Sequence, residues 1–304
     1  DIIGLGYSAY NGSRNVAAAY AEVFAPVFKV LDLTAALRTD QYSGLGNSTT
    51  PKVGFKFTPL PQLALRGTYA EGFRAPNAAE SGTGGLAAYT NAPDPVRCPG
   101  GTPAAGATTA DCNAQVASIT TGNPDLKPER SRGTSLGVIW SPMPTTSLSV
   151  DAWQIRRTNE INQQTVEQAL ASGTSVVRDS NNLPGIPNSG TLLAVSSPFI
   201  NSSRTDVRGV DVEFRQRWNL EEAGRVTVAV RWTHLGSFMR TDPDGTVLQF
   251  AGTHGNCDVT NCMGTPKNKV NAFVSWDKGD WRWTALANWR GTMANVYHAG
   301  EPCA

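Results

Sequence analysis

The sequence predicts an all-β chain: about ten antiparallel strands of a transmembrane β-barrel, with short turns at one membrane surface and long loops at the other. Three observations predict it. Apolar and polar residues alternate with a period of two in run after run, which marks strands with one apolar side. Short turns and long connections alternate along the chain, as they must if each kind lies at its own membrane surface. Aromatic residues gather at strand ends, where two lipid–water interfaces would place them.

Composition agrees with this class and removes others. The 304 residues include 30 Gly and 19 Pro, and only 17% are charged, which suits many strands and turns. A formal net charge of +1 without a long Lys/Arg run excludes a nucleic-acid partner. No stretch of about 18 apolar residues is present, which excludes a spanning helix and leaves a barrel untouched.

The first regular run starts at Arg14: Ala17, Ala19, Ala21 and Val23 alternate with Tyr20 and Glu22, and Ala25-Pro26 is expected to turn the chain. Leu31, Leu33, Ala35 and Leu37 then share one face, with Asp32, Thr34 and Arg38 on the other. Residues 49–57 and 62–73 form a second hairpin closed by Pro59-Leu60-Pro61. After a connection of about 55 residues, far beyond the usual loop, Leu136, Val138 and Trp140 lead into Ser141-Pro142-Met143-Pro144, and Leu148, Val150 and Ala152 lead out. Prolines suit such reversals because they cannot donate to a ladder.

A second long connection covers residues 160–201. Thr165 and Gln168 have capping-box spacing, Val166, Ala169 and Leu170 share a face, and Gly173 can end a short helix. The third hairpin sets Val210, Val212, Phe214 and Trp218 against Asp211, Glu213, Arg215 and Arg217, turns at residues 221–224, and returns through Val226, Val228, Val230 and Trp232. A third long loop, residues 239–266, precedes the last hairpin, in which Val270, Ala272, Val274 and Trp276 turn at residues 277–280 into Trp281, Trp283, Ala285, Ala287 and Trp289. Phe57, Trp140, Trp218, Trp276 and Trp281 lie beside short turns, and Tyr69, Trp232 and Trp289 lie toward long loops. The charged faces are expected to form ion-paired walls of a polar lumen.

Cysteines fall as Cys98 with Cys112, Cys257 with Cys262, and Cys303 alone. Local pairs in polar loops fit disulfides of an oxidising compartment. His254, Cys257 and Cys262 could instead bind zinc, but Asp258 would have to be the fourth ligand, so no metal is expected. Catalytic patterns are lacking: His234, His254 and His298 are the only histidines, and no Ser/His/Asp arrangement stands out. The alternative to be weighed is a small self-contained outer-membrane barrel acting as a surface protease, through His234 and an acidic partner, or as an adhesin.

The wording of particular stretches adds a resemblance. Phe73-Arg74-Ala75-Pro76 enters the first long loop and Asn123-Pro124-Asp125-Leu126-Lys127-Pro128-Glu129 leaves it; together with SRNVAAAYAEVFAPV, DQYSGLG and PKVGFKF, these resemble the barrel domain of TonB-dependent outer-membrane receptors from about Arg14 to Arg290. The resemblance implies the bacterial cell outer membrane and a barrel of about 22 strands around an N-terminal plug. It implies short turns on the periplasmic side, long loops outside, and uptake of a scarce nutrient with energy from the TonB complex. On that reading residues 1–304 are part of the barrel domain of a longer protein, without the plug and the final strands. Haem receptors of the family carry a histidine between the two boxes; none occurs between Pro76 and Asn123, and the second box reads NPDL, which favours a ferric siderophore or an oligosaccharide. No cofactor is expected. Tyr89, Arg97 and Asn113 are candidate ligand contacts by their place in the loop, and the two boxes are read as anchors of its ends, with Lys127 and Glu129 pairing locally.

Overall fold

In the computed structural model, the described residues are 8–11, 13–173, 175–242, 245–256 and 264–296. Cys257, Cys262, Cys303 and His298 lie outside them. The chain forms two compact units. One comprises Val16–Phe73, Arg130–Thr158 and Ser203–Ala304; the other comprises Asp1–Asn15, Arg74–Glu129 and Asn159–Ser202.

The first unit is built on an antiparallel sheet whose strand order follows the chain. Its ten long strands are β1 (Val16–Phe28), β2 (Leu31–Tyr42), β3 (Gly46–Leu60), β4 (Leu63–Arg74), β5 (Glu129–Met143), β6 (Thr146–Gln163), β7 (Phe199–Asn219), β8 (Arg225–Thr241), β9 (Asn268–Lys278) and β10 (Trp281–Arg290). A short strand, Val247–Gln249, adds to β8. Tight turns make the two strands of each hairpin neighbours, and across the long connections the order still follows the chain, as sequential strands most often do. The all-β antiparallel expectation is met.

Register shows what the alternation does. On one face Trp218, Val226, Trp276 and Trp283 lie side by side, and so do Val212, Trp232, Val270 and Trp289. Between these rows sit Phe214, Val230, Ala272 and Ala287. From Trp283 to Trp289 the strand rises about 20 Å, close to the height of an apolar band between two interfaces. At the other end of the sheet Leu31, Phe57 and Leu65 form a matching row, and Val23, Ala35, Val53 and Tyr69 another. Strand β7 has 21 residues, about 70 Å when extended, so it continues well past such a band.

The opposite face is polar and partly ion-paired. Glu213 meets Arg231 at 3.2 Å, Asp277 lies 3.7 Å from Arg225, and Arg282 donates to the same carboxylate. Arg66 on β4 forms a two-pronged pair with Asp151 on β6, at 2.8 and 2.6 Å, with β5 between their strands. Gly137 on β5 makes this possible, since a Cβ there would fall 2.0 Å from Asp151 Oδ1.

Three expectations need correction. Pro26 does not turn the chain: it lies inside β1, opposite Asp32, and the reversal is at Lys29-Val30. Strand β1 is the outer strand of this sheet, where a missing N–H is tolerated. Likewise Pro59 and Pro142 fall at register irregularities within β3 and β5, and the turns follow at Pro61-Gln62 and Pro144-Thr145. A bulge leaves a residue out of the ladder, so the strand passes through its proline. Finally, the strict alternation of short and long connections fails once: β2 and β3 join through Ser43-Gly44-Leu45, with Gly44 in the left-handed region at φ +82°. The remaining connections on that side are long.

Candidate ligand-recognition site

The second unit is made of the two longest connections, β4–β5 and β6–β7, together with the N-terminal residues. Long loops need a core of their own to be ordered, and this pair builds one. Strands Thr83–Ala92 and Ala114–Thr121 pair antiparallel, and Leu192–Ser196 joins the latter in parallel. Val176–Arg178 and Ser8–Asn11 complete a five-stranded sheet. Helix Val166–Ala171 carries the expected capping box of Thr165 and Gln168, and its buried Val166 and Ala169 pack with Val116, Leu192 and Val195.

From Arg74 onward the first box belongs to this unit, as does the whole second box, and the two are bound to each other. Arg74 donates from Nε and Nη2 to both oxygens of Glu129, at 2.9 and 2.7 Å, and from Nη1 to both oxygens of Glu80, at 2.9 Å. Glu80 closes the capping box of helix Ala78–Ser81 by accepting from the Asn77 N–H. Glu129 also accepts from the Ile161 N–H. The expected local pair of Lys127 and Glu129 is therefore replaced by a pair 55 residues apart. Arginine's fixed fork satisfies two carboxylates at once, which a lysine cannot do.

The rest of the second box is held by its backbone. Asn201 donates to the Lys127 carbonyl and accepts from the Lys127 N–H, both at 2.8 Å, so its amide stands in for a strand neighbour. Asn123 donates to the Phe199 carbonyl and accepts from the Asp125 N–H, forming an Asx turn ahead of buried Leu126. Pro76 is buried, and its carbonyl accepts from Arg14.

Beyond the boxes the first loop is fastened three times. Cys98 and Cys112 form a disulfide, as expected, with Cα atoms 5.1 Å apart. Asp94, wholly buried, takes two hydrogen bonds from Arg178 at 2.6 and 2.8 Å and two more from the Val96 and Arg97 N–H groups. Burial disfavours its charge, but these donors outweigh burial and hold its carboxyl below the ordinary value. Asp111 is likewise lowered against its burial, by the Thr108 N–H and hydroxyl and by Arg97.

The three candidate contacts fall in different places. Arg97 is 7% exposed and gives its guanidinium to Asp111 and to the carbonyls of Asn181 and Ser189, so here it ties one loop to the other. Asn113 is exposed at the end of a 3₁₀ turn, Thr109–Asn113. Tyr89 is 78% exposed on the open face of the loop sheet, opposite Ala117. Ala87, Ile119, Ala194 and Val177 extend that face. Of these, Ile119 and Val177 escaped the sequence reading, although the alternation in AQVASIT was a signal for the first. The side chains on this face are aromatic and aliphatic with Asn91 and Gln115 at one edge, and they can stack on and hydrogen-bond to a ligand without reacting with it.

His234 is placed differently from a catalytic base. Its Nδ1 is 2.9 Å from the Asn268 side-chain oxygen, an amide rather than a carboxylate, and it sits beside Trp232. Among the described residues no cluster of His, Cys, Asp and Glu could hold a metal.

Known proteins resemble the chain along nearly its whole length. The sequence model of the family described as "TonB dependent receptor-like, beta-barrel" matches residues 2–301. No curated protein sequence matches. Among solved structures, the siderophore receptor PirA from Acinetobacter baumannii superposes with a TM-score of 0.63 at 19% identity, covering 91% of this chain and 33% of that one. The ferric enterobactin receptor PfeA of Pseudomonas aeruginosa, as a double mutant, gives 0.61 at 17% identity, covering 91% and 32%. The chain thus spans about a third of the length of these receptors.

Proposed function

Because the chain belongs to the TonB-dependent receptor-like β-barrel family, we propose that it forms part of the wall and outer loops of an outer-membrane receptor for a ferric siderophore, imported with energy from the TonB complex. The observation that carries this reading is the pairing of a lipid-compatible sheet with loops that fold into an ordered unit of their own. A barrel that only anchored a protein would not require 54 residues between β4 and β5 to be given a core, a disulfide and buried ion pairs.

Among the described residues the two outer strands of this sheet, β1 and β10, each have a neighbour on one side only. In a bilayer each unsatisfied backbone group costs several kcal/mol, so the sheet is completed by further strands, as in a barrel of about 22. A plug would close the lumen and contact TonB. The loop unit contains no histidine, which argues against haem as the ligand. Tyr89 and Asn113 are proposed to meet the ligand directly, and Arg97 to hold the loop that presents them. An oligosaccharide is the second candidate, since Asn91 and Gln115 border the face that carries Tyr89.

The test is uptake of radioactive iron, supplied as a panel of ferric siderophores, by cells in which the gene is deleted and then restored. Uptake that requires both the gene and TonB, and falls about tenfold with Tyr89→Ala, is expected. Uptake unaffected by the deletion across the panel, with loss of growth on an oligosaccharide instead, would reverse the choice of ligand.

A further inference from the structure

The loop unit is acidic although the chain as a whole is not. Residues 1–15, 74–129 and 159–202 hold nine Asp and Glu against five Arg and Lys, a net charge of −4, while the whole chain carries +1. An asymmetry of this kind sets the field that an approaching ligand meets. The few cations of the unit are also turned to its own structure. Arg14 donates to the Pro76 carbonyl and the Ser81 hydroxyl, Arg74 to Glu80 and Glu129, Arg97 to Asp111, and Arg178 to Asp94. Lys127 is left, exposed and without an ion-pair partner among the described residues. Asp125 and Glu167 are exposed carboxylates.

The open face of the loop sheet adds no cation. Its rows are Asn91 with Gln115, Tyr89 with Ala117 and Ala194, Ala87 with Ile119 and Ser196, and Gly85 with Thr121, and Val177 lies beside Ala194. None of these residues is charged. A polyanion seated here would give up water and gain no opposite charge, which is the costly way to remove an ion from solvent. A neutral ligand carries no such cost.

Resting on the ferric-siderophore reading above, we propose that the loop unit selects among ferric complexes by charge, taking a neutral or cationic ferric trihydroxamate and excluding a trianionic ferric tricatecholate. Iron(III) held by three singly charged hydroxamates has no net charge, whereas three doubly charged catecholates leave the complex trianionic. The neutral complex also suits the face chemically. Its amides and methylenes are what Asn91 and Gln115 can hydrogen-bond and what Tyr89, Ile119 and Val177 can cover.

The experiment uses the full-length receptor purified from outer membranes in detergent, with binding read by quenching of protein fluorescence. One ferric trihydroxamate scaffold is supplied with its terminal amine free, acetylated or succinylated, so that shape is held nearly constant while the complex is cationic, neutral or anionic; a ferric tricatecholate completes the series. Affinity is expected to fall about threefold for each added negative charge at low ionic strength, leaving the tricatecholate about thirtyfold weaker than the neutral complex. Raising salt from about 0.02 M to about 0.5 M should close most of that gap, because screening removes repulsion and leaves shape untouched. N91K/Q115K, which puts two cations on the face, should strengthen tricatecholate binding about tenfold at low salt, and D125N/E167Q, away from the face, should narrow the gap about fivefold. Equal affinity across the trihydroxamate series, a gap that salt leaves unchanged, or tighter binding of the tricatecholate would each overturn charge selection while leaving a siderophore receptor. Binding of none of the ferric complexes would overturn the siderophore reading itself, and the proposal with it.

Discussion

Removing the Arg74 guanidinium tests whether the two sequence boxes act as a single clamp. The side chain is 42% exposed, but the Glu80 and Glu129 side chains it bridges are only 12% and 13% exposed. Breaking a buried pair costs about 3–5 kcal/mol, and an exposed pair contributes about 0–1 kcal/mol. A half-exposed arginine holding two nearly buried carboxylates falls between, at about 2 kcal/mol, because Arg74→Ala leaves both carboxylates without their shared cation. That loss raises the local opening constant about thirtyfold, since roughly 1.4 kcal/mol is a factor of ten. Amide hydrogen exchange followed by mass spectrometry reads it directly in residues 77–82 and 123–129. Arg74→Lys keeps the charge and loses the fork, so it should open the same peptides about fivefold. Exchange in Arg74→Ala within twofold of wild type would refute the clamp. Faster exchange spread evenly over β7 to β10 would mean global destabilisation, and would refute it equally.

Three further outcomes follow from the same geometry. Reducing the Cys98–Cys112 bond releases a loop with a sequence separation of 14, for which chain entropy predicts a loss of about 3 kcal/mol; exchange in residues 94–112 should rise with reductant, and in a Cys98→Ser/Cys112→Ser variant. Ala287→Arg puts a cation in the middle of the apolar band and should cost about 2–4 kcal/mol in urea-dependent folding into vesicles, whereas Asn288→Arg, one residue on and facing the polar side, should be near neutral. The depressed carboxyls of Asp94, Asp111 and Asp179, the last held down by the Asn181 and Thr191 N–H groups, favour the folded loop unit above the ordinary value of 3.8, and this contribution is lost as pH falls below it toward the native values. The loop peptides should therefore hold their exchange protection from pH 7 down to about 4 and lose it below, with Asp94→Asn flattening that decline.

The strands were legible because alternation is a property of each residue and its neighbour. Val270, Ala272, Val274 and Trp276 declare a face without reference to any partner, and the registered rows of β7 to β10 follow once the turns are placed. Strand ends were less legible. Pro26, Pro59 and Pro142 read as turns, because a sequence shows the missing N–H but not whether an outer strand or a bulge has already excused it. The loop unit was almost closed to sequence reading. Its central parallel pair joins Ala117 to Ala194, its buried Arg97 reaches carbonyls 84 and 92 residues away, and Arg74 meets Glu129 across 55. Only the local pieces showed: the Thr165 capping box and the disulfide, both defined by short spacing.

Glycine has a distinct use in this sheet that joins these levels. In a strand it normally weakens packing and costs conformational entropy, yet Gly67, Gly137 and Gly209 each lie under a large side chain from a neighbouring strand. Phe55 covers Gly67, Trp153 covers Gly209, and Asp151 crosses Gly137 toward Arg66, so closely that a Cβ on the glycine would fall 2.0–2.8 Å from the covering group in each case. The result on the polar face is a contact that skips a strand, so Arg66 is committed to the wall itself. An arginine held by a bidentate carboxylate is not available to a ligand, whereas Arg208, beside Gly209 and directed to the other face, has no ion-pair partner among the described residues. The small residues therefore decide which charges are spent on the wall and which remain to meet a partner.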